Sequence, residues 1–320
     1  MSAASSSPRS GIGHYAILAG AQVAVGAAAI FARFALTGAP PLAVSAWRLI
    51  IASAVLLVIA ALAPRLRSAP LDVARGRSIP HDDTTRRAAL LFIAAGIALA
   101  VHFATWIASL DYTSVAVSTL LVATTPIWTA IYDSAVYHRR LSPIALGAFL
   151  VGAVGLVLVV GYSHTRPPIA GHALLGDALA VAGAIAIGAY FILIRRVRAS
   201  YGTRTIVTRT YSWAALALLI ASLATHQMPP AFTDGKAWGG IIAMALVSQL
   251  LGHTAMNAAL RWFSASAVAM TTLFEPVTAA VLAFFIFGET LTPLAIAGGL
   301  LVLVAIGAFL REEARLAPGS

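Results

Sequence analysis

Residues 274–293 read Phe274-Glu275-Pro276-Val277, an apolar run, then Phe287-Gly288-Glu289-Thr290-Leu291-Thr292-Pro293. A carboxylate and a proline stand in the middle of a segment otherwise suited to lipid. A counterpart lies 150 residues upstream, in Thr125-Pro126-Ile127 followed by Leu141-Ser142-Pro143. Pro126 pairs with Pro276 and Pro143 with Pro293 at this one spacing, which also aligns Ser114 with Ser264 and Leu141 with Leu291. Farther upstream the offset drifts to 162, matching Gly26 with Gly188 and Arg33 with Arg195. Aliphatic matches say little in an Ala/Leu-rich chain. Two proline pairs at a fixed spacing mark an internal repeat.

Composition settles the solvent around that repeat. Of 320 residues, 60% are hydrophobic and 10% charged, against about 25% charged in a soluble globular protein. One aqueous core cannot bury such a surface, so the solvent is lipid. The net charge is +10, from 21 Lys+Arg and 11 Asp+Glu. Basic loops on the cytoplasmic face account for this excess, and no nucleic-acid partner is expected. The absence of cysteine excludes disulfides, thiolate metal sites, iron–sulfur clusters and a cysteine nucleophile.

A helix needs about 20 apolar residues to cross the roughly 30 Å hydrocarbon layer. Ten segments meet this test: His14–Leu36, Leu42–Ala63, Arg87–Leu110, Thr113–Val136, Ser142–Tyr162, Ala173–Val197, Gly202–Ala224, Ala237–Ala259, Ser264–Gly288 and Thr290–Leu310. The expected fold is therefore an all-α integral membrane protein of ten transmembrane helices. Sixteen of the basic residues fall on one side, six of them in or beside the loop from Pro64 to Arg86. Arg166 and Lys236 alone fall on the other side, while Arg33, Arg48 and Arg209 lie within spans. The positive-inside rule places both termini in the cytoplasm, in a bacterial inner membrane if the host is bacterial.

The repeat divides the chain into a tail (1–13), a five-helix unit (14–162), a connecting loop (163–172), a second five-helix unit (173–310) and a tail (311–320). An odd number of spans per unit turns the second unit upside down. Inverted repeats let one chain adopt two related states, open to one side and then to the other, which is the requirement of a transporter.

The run from Ser264 through Phe274-Glu275-Pro276-Val277 to Pro293, and the matching Ala108-Ser-Leu-Asp-Tyr-Thr-Ser-Val-Ala…Thr125-Pro126-Ile127…Leu141-Ser142-Pro143, resemble EamA-type transporters of the drug/metabolite transporter superfamily. The resemblance covers residues 14–310. It departs from the pattern at His138-Arg139, where Gly-Glu stands in the second half. The resemblance implies an efflux permease for amino acids, related metabolites or toxic compounds.

Ionisable groups at mid-span are costly, so those retained should face a cavity or a partner. Glu275 is the foremost candidate, to bind a cationic group or carry a coupling proton, or else to serve as a structural carboxylate. Pro276 and Pro126 each remove a backbone donor and mark a bent or broken helix, hence candidate gating points. Gln249, His253 and Asn257 fall on one helical face at i, i+4 and i+8. His102 and Trp106 repeat the i, i+4 spacing in the third span, so the two sets are expected to wall one cavity.

Arg48 and Arg209 occupy equivalent spans, where they either neutralise an anionic group such as a carboxylate or snorkel to an interface. Tyr190, Trp128, Thr124 and Thr125 are further cavity candidates, and Asp133 and Asp177 are expected at interfaces. The small-residue stripe Ala145, Ala148, Gly152 and Gly155, with Ala295, Gly298 and Ala305, is expected to form a helix–helix seam.

The leading reading is a secondary-active exporter of small metabolites, with the lipid bilayer, a small-molecule substrate and a coupling proton as partners. No catalytic residue, metal or cofactor is expected, since no protease motif, HExxH or phosphate-binding loop occurs. A passive facilitator of the same fold and an intramembrane enzyme are the alternatives.

Overall fold

In the computed structural model the described residues are 11–62, 82–137, 141–160, 172–288 and 290–316. Each long apolar stretch among them becomes helix, because lipid offers backbone N–H and C=O groups no partner and a helix satisfies them internally. In chain order the helices are α1 (Ile12–Gly26), α2 (Ala28–Ala35), α3 (Pro41–Leu62), α4 (Asp82–Tyr112), α5 (Val115–Val122), α6 (Thr125–Tyr137) and α7 (Pro143–Val160). The second half holds α8 (Ala173–Arg198), α9 (Thr203–Ala224) and α10 (Gly235–Ala243). A π-helix (Met244–His253) follows, then α11 (Thr254–Ala259), α12 (Ala265–Thr271), α13 (Phe274–Phe287) and α14 (Pro293–Leu316). No strand occurs among the described residues.

Among the described residues, nine helical segments are long and apolar enough to cross a membrane. The stretches expected as the fourth and ninth spans are each built as two short helices, α5 with α6 and α12 with α13, and the second pair makes one of the nine. Pro126 accounts for the first break. It cannot donate to the Val122 carbonyl, which instead accepts from Thr125 Oγ1 at 2.7 Å. Pro276 interrupts the helix between α12 and α13 in the same way, and the Thr272 carbonyl accepts from the Glu275 amide at 2.9 Å. Hydroxyl and displaced amide thus take up the carbonyls that proline leaves open.

Large apolar side chains point outward along these helices. Leu150 and Leu300 are 63% and 60% exposed, the inverse of an aqueous surface and fitting for lipid. The buried side of α7 carries Ala145, Ala148, Gly152 and Gly155. It lies directly on α14, where a Cβ at Gly155 would stand 2.7 Å from the Gly298 carbonyl oxygen. The small-residue seam therefore lies within the chain.

The first helix of each half packs on the other half. α1 lies against the π-helix, α11 and α13, while α8 lies against α4, α5 and α6. α3 packs on α9, and α7 on α14. Gly26 and Gly188 sit at matching contacts: a Cβ on Gly26 would meet Thr278 of α13, and one on Gly188 would meet Trp128 and Thr129 of α6. The last helix runs on through Leu316, its final turn tied by Arg315 Nε to Glu312 Oε2 at 2.8 Å. The loop 64–81, the connecting loop up to Gly171, His138 to Arg140, Glu289 and the outermost tail residues lie outside the described residues.

Candidate functional site

A small cleft opens between the two halves, lined by Val25, Gly26, Ala29, Trp106, Thr119, Val122, Glu275 and Ala279. α1, α2, α4 and α5 supply one wall and α13 the other. The interruption before Pro276 sets Glu275 in the first turn of α13, near the positive end of the helix. Glu275 is partly exposed to the cleft. Gly26 allows the close approach opposite, since a Cβ there would stand 2.9 Å from the Glu275 carbonyl oxygen.

Trp106 links the cleft to a row of rings. His102 lies parallel to it, with centroids 6.1 Å apart and planes 7° apart. His102 is also held at Nδ1 by the Gly183 carbonyl at 2.9 Å. Phe103 follows at 4.8 Å from His102, and His253 meets Phe103 edge-on at 5.2 Å. The Arg48 guanidinium carbon lies 4.0 Å over the Phe103 ring.

Arg48 is completely buried. It donates from Nη2 to Gln249 Oε1 at 2.8 Å, tying α3 to the π-helix. Snorkelling is thereby corrected for Arg48: its head is turned into the protein, held by Gln249 and Phe103. Arg209 is exposed and lies over Phe92 and Tyr201 at 5.0 and 5.4 Å.

Of the sequence-derived candidates, Glu275 and Trp106 line the cleft, and His102 stacks behind Trp106. Gln249, His253 and Arg48 gather at the inner end of the ring row. Asn257 and Tyr190 lie further along, outside the cleft lining: Tyr190 donates to Asn257 Oδ1 at 2.9 Å, and Asn257 Nδ2 donates to the His253 carbonyl at 2.8 Å. Trp128, Thr124 and Thr125 take no part in the lining either. Pro126 and Pro276 sit at the two helix interruptions.

Three features are not legible in the sequence. Phe103 carries no signal beyond its apolarity. The π-helix has no hydropathic signature, although π-helical turns concentrate at functional sites. Asp133, expected at an interface, is 7% exposed. It accepts from Ser266 Oγ at 2.8 Å and faces Arg195 Nη1 at 3.5 Å, because α6, α8 and α12 converge on it.

The EamA-like transporter family matches the chain twice, over residues 12–161 and 174–311. This chain belongs to the EamA-like transporter family. An uncharacterized transporter, YyaM, of Bacillus subtilis (strain 168) is 23% identical over 295 residues, covering 91% of this chain and 92% of that protein. An uncharacterized transporter of Clostridium kluyveri is 22% identical over 206 residues, covering 63% and 65%. A protein of known crystal structure superposes with a TM-score of 0.72 at 15% identity, covering 96% of this chain and 99% of its own. That likeness shows the fold. The EamA-like chain is thus a multi-pass membrane protein of a transporter family.

Proposed function

We propose that this chain is a secondary-active transporter working by alternating access. It exports small metabolites such as amino acids or amphipathic compounds from a bacterial cytoplasm, with both termini on the inner side. Its ten spans form two inverted five-helix repeats. The exchange of partners between α1 and α8, and the matching contacts at Gly26 and Gly188, support that arrangement.

One observation carries the reading: a mid-membrane carboxylate, Glu275, opens on a cleft formed by both halves. No side chain among the described residues pairs with it. An intramembrane carboxylate so placed fits a substrate or proton pathway. The arginine-bearing end of the bundle is cross-tied through Asp133, Ser266 and Arg195, and Arg198 Nη2 donates to the Asn257 carbonyl at 2.5 Å. The cleft lies toward the opposite end. Such asymmetry fits one of two alternating states, with Pro126 and Pro276 as bending points and Trp106, His102, Arg48, Gln249, His253, Asn257 and Tyr190 as the surrounding wall.

The test is counterflow in proteoliposomes against labelled amino acids and amphipathic cations. Saturable exchange of at least one compound is expected, and exchange of none overturns the substrate class. Accumulation driven by a pH gradient separates proton coupling from passive facilitation.

A further inference from the structure

Arginine presents five N–H donors, no acceptor, and a charge it retains throughout the physiological pH range. At Arg48 the Nη2 donor is taken by Gln249 and one face of the guanidinium by Phe103. Its Nε and Nη1 are buried without a partner. The Gln249 oxygen is occupied by Arg48, and its Nε2 is likewise buried without a partner, as are His253 Nδ1 and Ser248 Oγ. All four residues are at least nine-tenths buried. No carboxylate among the described residues stands within ion-pair distance of Arg48.

A buried cation without a counter-charge is strongly unfavourable, and unpaired buried donors add to the cost. The group that relieves both at once is an anion, which accepts and does not donate. A planar carboxylate matches the guanidinium fork in particular. The rings of Trp106, His102 and Phe103 follow one another in contact from the cleft to Arg48.

We propose that Arg48, Gln249 and His253 form an anion-binding site that seats the carboxylate of a small organic acid, whose apolar body lies along the Trp106–His102–Phe103 row. This inference rests on the transporter reading only in taking that acid as cargo. The binding site itself stands on the donor cluster.

The experiment uses the full chain purified in detergent, with thermal unfolding and equilibrium dialysis of labelled benzoate as readouts. Benzoate raises the melting temperature saturably, whereas its neutral analogue benzamide does not. Gln249→Glu places a carboxylate beside Arg48 at an isosteric position. It is expected to melt higher than the parent without ligand and to lose benzoate binding by at least about tenfold, as does Arg48→Lys through loss of the planar fork.

If benzoate binds Gln249→Glu as well as the parent, or binds neither, the proposal is overturned. A chloride effect equal to that of benzoate and abolished by Gln249→Glu keeps the anion site but overturns the organic acid as its ligand. Benzoate binding without counterflow of any compound overturns the transporter reading and leaves the site. Counterflow of other compounds without anion binding does the reverse.

Discussion

Ser266 donates its hydroxyl to Asp133 Oδ2 at 2.8 Å, joining α12 of the second half to α6 of the first across 133 positions of sequence. Asp133 is buried, and its other oxygen faces Arg195 of α8. Three helices from both halves therefore meet on one carboxylate. In a buried setting a group of this kind costs more to break than its net contribution implies, because its partners lose an acceptor.

Replacing Asp133 by Ala should lower stability by about 1–3 kcal/mol, the penalty for leaving a buried donor unmatched. Ser266→Ala should cost less, and the double variant less than the sum of the two, since they share one bond. Thermal unfolding of the four proteins in one detergent checks this. Strict additivity would show that the bond carries no coupling.

Glu275→Gln keeps the shape and removes the charge. Counterflow of substrate should persist, whereas accumulation driven by a pH gradient should fall to the level of leak. Gradient-driven accumulation that survives unchanged in the variant rules out Glu275 as the proton carrier.

The α7–α14 seam should tolerate no added side chain. A Cβ at Gly298 would stand 2.5 Å from the Gly155 carbonyl oxygen. Gly298→Val should therefore destabilise by about 1–3 kcal/mol through overpacking. On the same two helices, Gly147 and Gly307 have nothing within 4 Å of where a Cβ would stand. Ala at either should be neutral or stabilising by up to about 1 kcal/mol, as expected for a helix interior. Equal effects at Gly298 and Gly307 in thermal unfolding would contradict the seam.

Pro276→Ala returns an N–H able to reach the Thr272 carbonyl, which now accepts from Glu275. The variant should melt no lower than the parent, since the helix gains a regular bond, yet its rate of exchange should fall several-fold. Unimpaired exchange would remove the interruption from the transport cycle.

Much of this is readable from the chain because lipid imposes simple demands. Any span must be long, apolar and helical, so stretches such as Pro41–Leu62 and Ala173–Arg198 stand out. A mid-span proline has a single local consequence, which is why Pro126 and Pro276 coincide with interruptions. Arg48 is ambiguous in sequence for a physical reason: depth along a helix does not say which way a long side chain turns. Only its burial beside Gln249 and Phe103 decides it. The partners of Asp133 are not readable from sequence because they lie 62 and 133 residues away. Periodicity within one span holds no information about them.

The π-helix at Met244–His253 also bears on how the length of this chain can vary. Its bonds close five residues back in place of four, so the segment holds more chain than an α-helix of the same height. Deleting one residue there would let the turn relax to α-helix, with α10 and α11 still facing the neighbours they face now. The same deletion within Ala173–Arg198 would turn everything beyond it by roughly 100°, one residue's share of an α-helical turn. Membrane helices ordinarily forbid insertions and deletions. In the wall that carries Gln249 and His253, the π-helix is the place where a change of one residue can be absorbed.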